Sequence, residues 1–77
     1  MKDSFYFLDV QDEKIKDQRF ICIWFLDLEK HTIFRIYKKY KEEEFEKFCD
    51  LELFEDITNN VSFVIKRDGK LALDINI

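Results

Sequence analysis

Residues 19–38, RFICIWFLDLEKHTIFRIYK, are the most hydrophobic part of the chain, and their reading decides the fold. Alternate side chains of an extended strand point to opposite faces. Over Arg19–Leu28 this places Phe20, Cys22, Trp24 and Leu26 on one face and Ile21, Ile23 and Phe25 on the other. A strand apolar on both faces is central, either covered on both sides or with one face against a partner. Glu29–His31 reads as a turn, although it contains no glycine. Thr32–Lys38 then alternates again, Phe34 and Ile36 against Ile33, Arg35 and Tyr37, so that the two strands make a hairpin.

Towards the N-terminus, Ser4–Val10 is aromatic and β-branched and predicts a first strand. Gln11–Gln18 is polar apart from Ile15 and reads as a connection. Towards the C-terminus the period changes. Lys41–Asp50, KEEEFEKFCD, carries Phe45, Phe48 and Cys49 at helical spacing, and all three are expected to pack on the sheet. Glu42, Glu43 and Glu44 fill the first turn, where the helix dipole favours acids. After Asp50 the apolar positions Leu51, Leu53, Phe54 and Ile57 leave that stripe, so the helix is expected to bend, to break near Asp50 or to roll over a second surface; Asn59-Asn60 supplies a stop. Val61–Ile65 predicts a fourth strand. Asp68-Gly69 is a strong hairpin signal, and Leu71–Ile77 a fifth strand with Leu71, Leu73, Ile75 and Ile77 facing in.

The expected fold is α+β: a single domain over residues 1–77, an antiparallel β-sheet in the order β-β-β-α-β-β along the chain, and one helix packed on one face. The other face is left open, exposing either Trp24 or the row of Ile21, Ile23 and Phe25 to dimerisation or a partner. At 77 residues there is room for one core, and nine Phe, three Tyr and one Trp make that core rich. No apolar run reaches the length of a membrane helix, and Phe5–Leu8, cut short by Asp9, is too brief for a signal-peptide core. Two cysteines do not make a disulfide framework, so Cys22 and Cys49 read as buried inert thiols of a reduced, cytoplasmic protein. One glycine, one alanine and no proline, against abundant Lys, Ile and Phe, fit an AT-rich genome such as that of a low-GC bacterium or its phage.

Charge is segregated along the chain. Residues 42–56 hold eight acids and one base, net −7, whereas the whole chain is −4. The middle segment therefore carries more than all of the net negative charge. Either Glu serves there as a helix former on a solvated face, or the acids form a ridge that imitates a phosphate backbone for a basic groove. On the second reading the partner-binding residues are Glu42, Glu43, Glu46, Asp50, Glu52, Glu55 and Asp56.

Catalytic parts are scarce. His31 is the only histidine, and it sits in a turn away from either cysteine's element. One His and two Cys 27 positions apart do not form a zinc site, and no EF-hand pattern occurs. Ser4 and Ser62 lie in no nucleophile elbow, and Gly69 stands alone, so there is no phosphate-cradling loop. No enzyme activity, cofactor or metal is expected. Tyr37-Lys38-Lys39-Tyr40-Lys41 interleaves bases with aromatics, as in nucleic-acid binders, and forms an alternative patch. Three classes follow: a protein-binding inhibitor presenting the acidic helix to a protein that handles nucleic acid, a small nucleic-acid binder, and a homodimer subunit. The first leads, since small size and an acidic helix share the general character of phage-encoded inhibitors such as anti-CRISPR proteins; no motif assigns a family.

Overall fold

Three antiparallel strands lie side by side in chain order: β1 (Phe5–Ile15), β2 (Gln18–Asp27) and β3 (Thr32–Lys39). The computed structural model describes residues 4–77. A short helix, α1 (Glu42–Cys49), follows, then a 3-10 turn at Thr58–Asn60, and then a hairpin of β4 (Val61–Ile65) and β5 (Leu71–Ile75). The α+β order is the expected one. The strands, however, form two sheets, because β4 and β5 pair only with each other.

The segment Gln11–Ile15 belongs to β1 and is not a connection. Gln11 pairs with Cys22, Glu13 with Phe20 and Ile15 with Gln18, leaving only Lys16-Asp17 as the loop. Its polarity concealed it: apart from half-buried Glu13 these residues are exposed, and the ladder to β2 holds them extended. Arg19 reinforces the pairing with a bidentate bond to Asp12, Nε lying 2.9 Å from Oδ1. In a chain with one glycine, the tight turns fall to other residues: Lys16 (φ 56°) and His31 (φ 51°) take left-handed conformations. A bulge between Phe7 and Asp9 shifts the register of β1.

Cross-strand partners share a face, so the register fixes which row is buried. Phe5, Phe7 and Val10 of β1, Ile21, Ile23 and Phe25 of β2, and Phe34 and Ile36 of β3 line one face. Phe48 from α1, Ile57 from the following loop and Ile75 from β5 close over that face, completing a buried cluster. Phe25 meets Phe5 edge-on and stacks on Phe34. Of the two rows offered by β2, the isoleucine row is thus the core and the Trp24 row is the open one.

The helix is brief. Asp50 caps it, its N–H donating to the Glu46 carbonyl while the Leu51 N–H donates to that of Phe48, so the break falls where the apolar stripe changed. Phe48 is buried and Phe45 half-buried against Tyr40, but Cys49 is exposed, contrary to expectation. With only eight residues docked through Phe48, the position one step round the helix rolls out into water. Residues 54–57 then run along the free edge of β1: Phe54 N donates to Phe7 O, Phe7 N to Glu55 O and Ile57 N to Phe5 O. Lys38 ties the two sheets, its Nζ reaching Ile75 O at 2.6 Å and Asn76 Oδ1 at 3.1 Å. The base of the β4–β5 hairpin is held by Asn60, whose Nδ2 donates to Asn76 O. Its outer half overhangs the core. Leu71, expected inside, is 69% exposed, with Phe63 at 61% and Ile65 at 75%.

Candidate functional site

On α1 the acids and the aromatic anchors separate by angle. At about 100° per residue, Glu42, Glu43, Glu46 and Asp50 fall within one arc of roughly 100°, and Phe45 and Phe48 lie on the opposite side. All four acids are exposed, whereas Glu44, which lies between the two faces, is half-buried with its carboxylate 3.8 Å from Lys38 Nζ. Among the described residues none of Glu42, Glu43, Glu46, Asp50 or Glu52 enters an ion pair, nor does any of their carboxylates accept a hydrogen bond. Lys41 and Lys47 flank this stripe, and neither is within ion-pair distance of it.

The remaining two residues of the acidic set have local duties. Glu55 Oε1 accepts the Glu52 N–H at 3.1 Å, closing the loop after the helix. Asp56 Oδ1 accepts both the N–H and the hydroxyl of Thr58 at 2.9 and 2.6 Å, and those bonds hold its pKa below the usual carboxylate range. Thr58 Oγ1 in turn accepts the Phe5 N–H. Both residues sit along the edge of β1 rather than on the helix, and the seven acids are therefore divided: Glu42, Glu43, Glu46 and Asp50 form the helical stripe, whereas Glu52, Glu55 and Asp56 lie in the loop after it, where Glu52 and Glu55 bond each other.

Strand alternation disperses the alternative patch. Tyr37 and Lys39 lie on the open face of the sheet, while Lys38 points to the other side and is engaged with β5. Tyr40 is half-buried against the core beneath the Arg19 guanidinium, which is 3.9 Å from its ring centre, and Lys41 precedes the helix. What the fold assembles instead is an open face of Tyr6, Trp24, Leu26, Ile33, Arg35 and Tyr37. Arg35 lies 5.1 Å from the Trp24 ring and 5.3 Å from the Tyr37 ring, and Phe20 meets Tyr37 edge-on. Cys22 is sealed beneath these side chains, and burial pushes its thiol pKa up.

One site residue escaped sequence reasoning. Asp27 ends the buried row of β2, is 1% exposed, and opens on a groove of about 340 Å³ between the sheet and the overhanging hairpin. The signal was present: in strict alternation Asp27 falls on the face of Ile21, Ile23 and Phe25, where a carboxylate is out of place. Among the described residues no group of three His, Cys, Asp or Glu has metal-binding geometry, and no helix is long and apolar enough to cross a membrane. No family model, curated protein or solved structure matches the chain.

Proposed function

We propose that this chain is a non-catalytic protein-binding module of the cytoplasm, an inhibitor of the type carried by phages and mobile elements, which docks the acidic stripe of α1 in the basic groove of a protein that handles nucleic acid. The observation that carries this reading is the arc of unpaired, exposed carboxylates at Glu42, Glu43, Glu46 and Asp50, set opposite the buried anchor Phe48. An acid already neutralised by its own chain has little left to offer a partner; among the described residues these four form no ion pair, although the Arg19 guanidinium is near enough to feel the Glu42 carboxylate. Complementary charge steers encounter and rejects wrong partners, and its contribution weakens with salt.

The test is a Glu43→Lys, Glu46→Lys, Asp50→Lys triple variant. All three positions are exposed, so the fold should tolerate it. Against a partner captured by the wild type and then purified, the variant should bind at least about ten-fold more weakly and with a shallower salt dependence. Unchanged affinity and unchanged salt slope would sink the proposal.

A second reading has its own support in the Arg35, Trp24 and Tyr37 cluster on the open sheet face, joined there by Lys39. Aromatic rings beside cations are how single-stranded nucleic acids are stacked and held. Gel shifts with single-stranded DNA and RNA at physiological salt decide it: retention by the wild type, lost on Trp24→Ala, favours nucleic acid. The same face suits a homodimer, and sedimentation of wild type against Trp24→Glu distinguishes that case.

A further inference from the structure

A carboxylate on the buried face of a central strand requires an explanation, because an unpaired buried charge is costly. Asp27 Oδ1 accepts the Lys30 N–H at 3.2 Å in the turn between β2 and β3. Oδ2 has no hydrogen-bond partner among the described residues. Among the described residues no sealed side-chain nitrogen or oxygen lacks a partner, so Oδ2 is not sealed, and Asp27 lines the groove. The groove has Phe5, Phe34 and Ile36 of the sheet on one side and Phe63, Leu71 and Leu73 of the hairpin on the other. Lys30 also lines it; Lys30 is exposed and makes no ion pair with Asp27.

We propose that this groove receives a lysine or arginine side chain of a protein partner, its alkyl stem lying between Phe34 and Leu73 and its cationic head donating to Asp27 Oδ2. Charge complementarity selects the head: a carboxylate only 1% exposed, with one oxygen given no donor by the described residues, is satisfied best by a cation. Aromatic rings at the walls add to the preference for a cation. A polypeptide is selected over a free amine by what lies outside the groove. Phe63, Leu71 and Ile65 continue the apolar surface onto the hairpin tip, each more than half exposed, and a small amine leaves that area uncovered. The occupant is therefore a basic residue flanked by apolar ones. The inference does not rest on the α1 stripe, which is formed by other residues.

The experiment is an NMR titration of the full isotope-labelled chain with acetyl-Leu-Arg-Phe-amide, its citrulline counterpart, and agmatine. The arginine peptide should shift the amides of Lys30, Phe34 and Leu73 and bind about ten-fold or more tightly than the citrulline peptide, which has the same shape without the charge. Agmatine should bind the same site more weakly than the peptide. Asp27→Asn should remove the preference for arginine over citrulline. The comparison of the two peptides on the wild type needs no variant, so it stands even if Asp27→Asn folds poorly. Equal affinities for arginine and citrulline would overturn the proposal, as would shifts confined to Glu42–Asp50. Agmatine binding as tightly as the peptide would overturn the choice of a polypeptide occupant.

Discussion

Replacing Phe48 by alanine tests whether one side chain holds the acidic helix in place. Eight residues are too few for an isolated helix to persist in water, so α1 exists because it is docked. Phe48 is its one buried residue, at 1% exposure. Removing a buried phenyl ring costs about 3–5 kcal/mol through lost burial and the cavity left behind. At roughly 0.05–0.15 kcal/mol per residue, a chain of this length has about 4–12 kcal/mol to lose. The alanine variant should therefore lose between about a quarter and all of the chain's stability, its urea midpoint falling by about 3–5 M where it stays folded. Phe48→Leu, which keeps most of the volume, should cost about 1–1.5 kcal/mol and stay folded. With a urea slope near 1 kcal/mol per molar, typical of a domain this small, its midpoint should drop by about 1 M. Cys49→Ala, one position along and exposed, should stay within about 0.5 kcal/mol of the wild type. Urea unfolding followed by tryptophan fluorescence reads all three. If Phe48→Ala moved the midpoint no further than Cys49→Ala, the idea that this ring anchors the helix would be wrong.

Thiol reactivity should divide the cysteines cleanly. Cys49 is exposed and Cys22 is buried with its pKa raised by that burial, so iodoacetamide on the native chain should give one adduct, at Cys49, by peptide mass mapping, and two adducts in urea. Two adducts on the native chain would contradict the burial of Cys22. The low pKa of Asp56 carries a second expectation. Its folded-state pKa lies below the unfolded one because Thr58 bonds the anion, so its stabilising effect is present above roughly pH 4 and lost as pH falls through the folded value. Asp56→Asn should be less stable than wild type at neutral pH, and thermal melts of the two should converge once pH has fallen below the folded-state pKa of Asp56. A gap that stays constant across that range would rule out the Thr58 bonds as its source.

Much of this architecture is written in local periodicity. The β2–β3 hairpin is legible because residues 20–37 alternate, and the helix because Phe45 and Phe48 recur at its spacing. What escapes is whatever depends on pairing between distant segments. Gln11–Ile15 has no apolar alternation because nothing covers it; only the ladder to β2 makes it a strand. The β4–β5 hairpin announces its own register through Asp68-Gly69, but whether it joins the main sheet depends on contacts such as Lys38 to Ile75, which no pattern encodes. The same holds at the candidate sites. Counting charges finds the acidic segment, yet only the fold separates Glu43 and Glu46, left free, from Glu55 and Asp56, engaged by their own loop. The patch at Tyr37–Lys41 looks continuous in sequence and is divided by the very alternation that makes β3 a strand.

The distribution of unsatisfied surface bears on how a partner is held. A small domain has one core, and here it is used up on a single side of the three-stranded sheet. Besides the exposed Leu53 and Phe54, two apolar areas bear on this: the Trp24 face and the hairpin tip with Phe63, Ile65 and Leu71. Neither lowers the free energy of the isolated chain, and each invites self-association unless something covers it. The acidic stripe has the opposite physics, since its charges stay hydrated and act at a distance. The two kinds of surface consequently act on different rate constants. For a basic partner engaging these surfaces as proposed, long-range charge would set how fast it arrives, whereas short-range apolar contact and the Asp27 carboxylate would set how slowly it leaves. A partner engaging both would lose association rate when Glu43 and Glu46 are reversed and gain dissociation rate when Phe63 or Leu71 is truncated. A partner whose dissociation ignored Phe63 and Leu71 would be held by the helix alone, and the overhang of the hairpin would need some other cause.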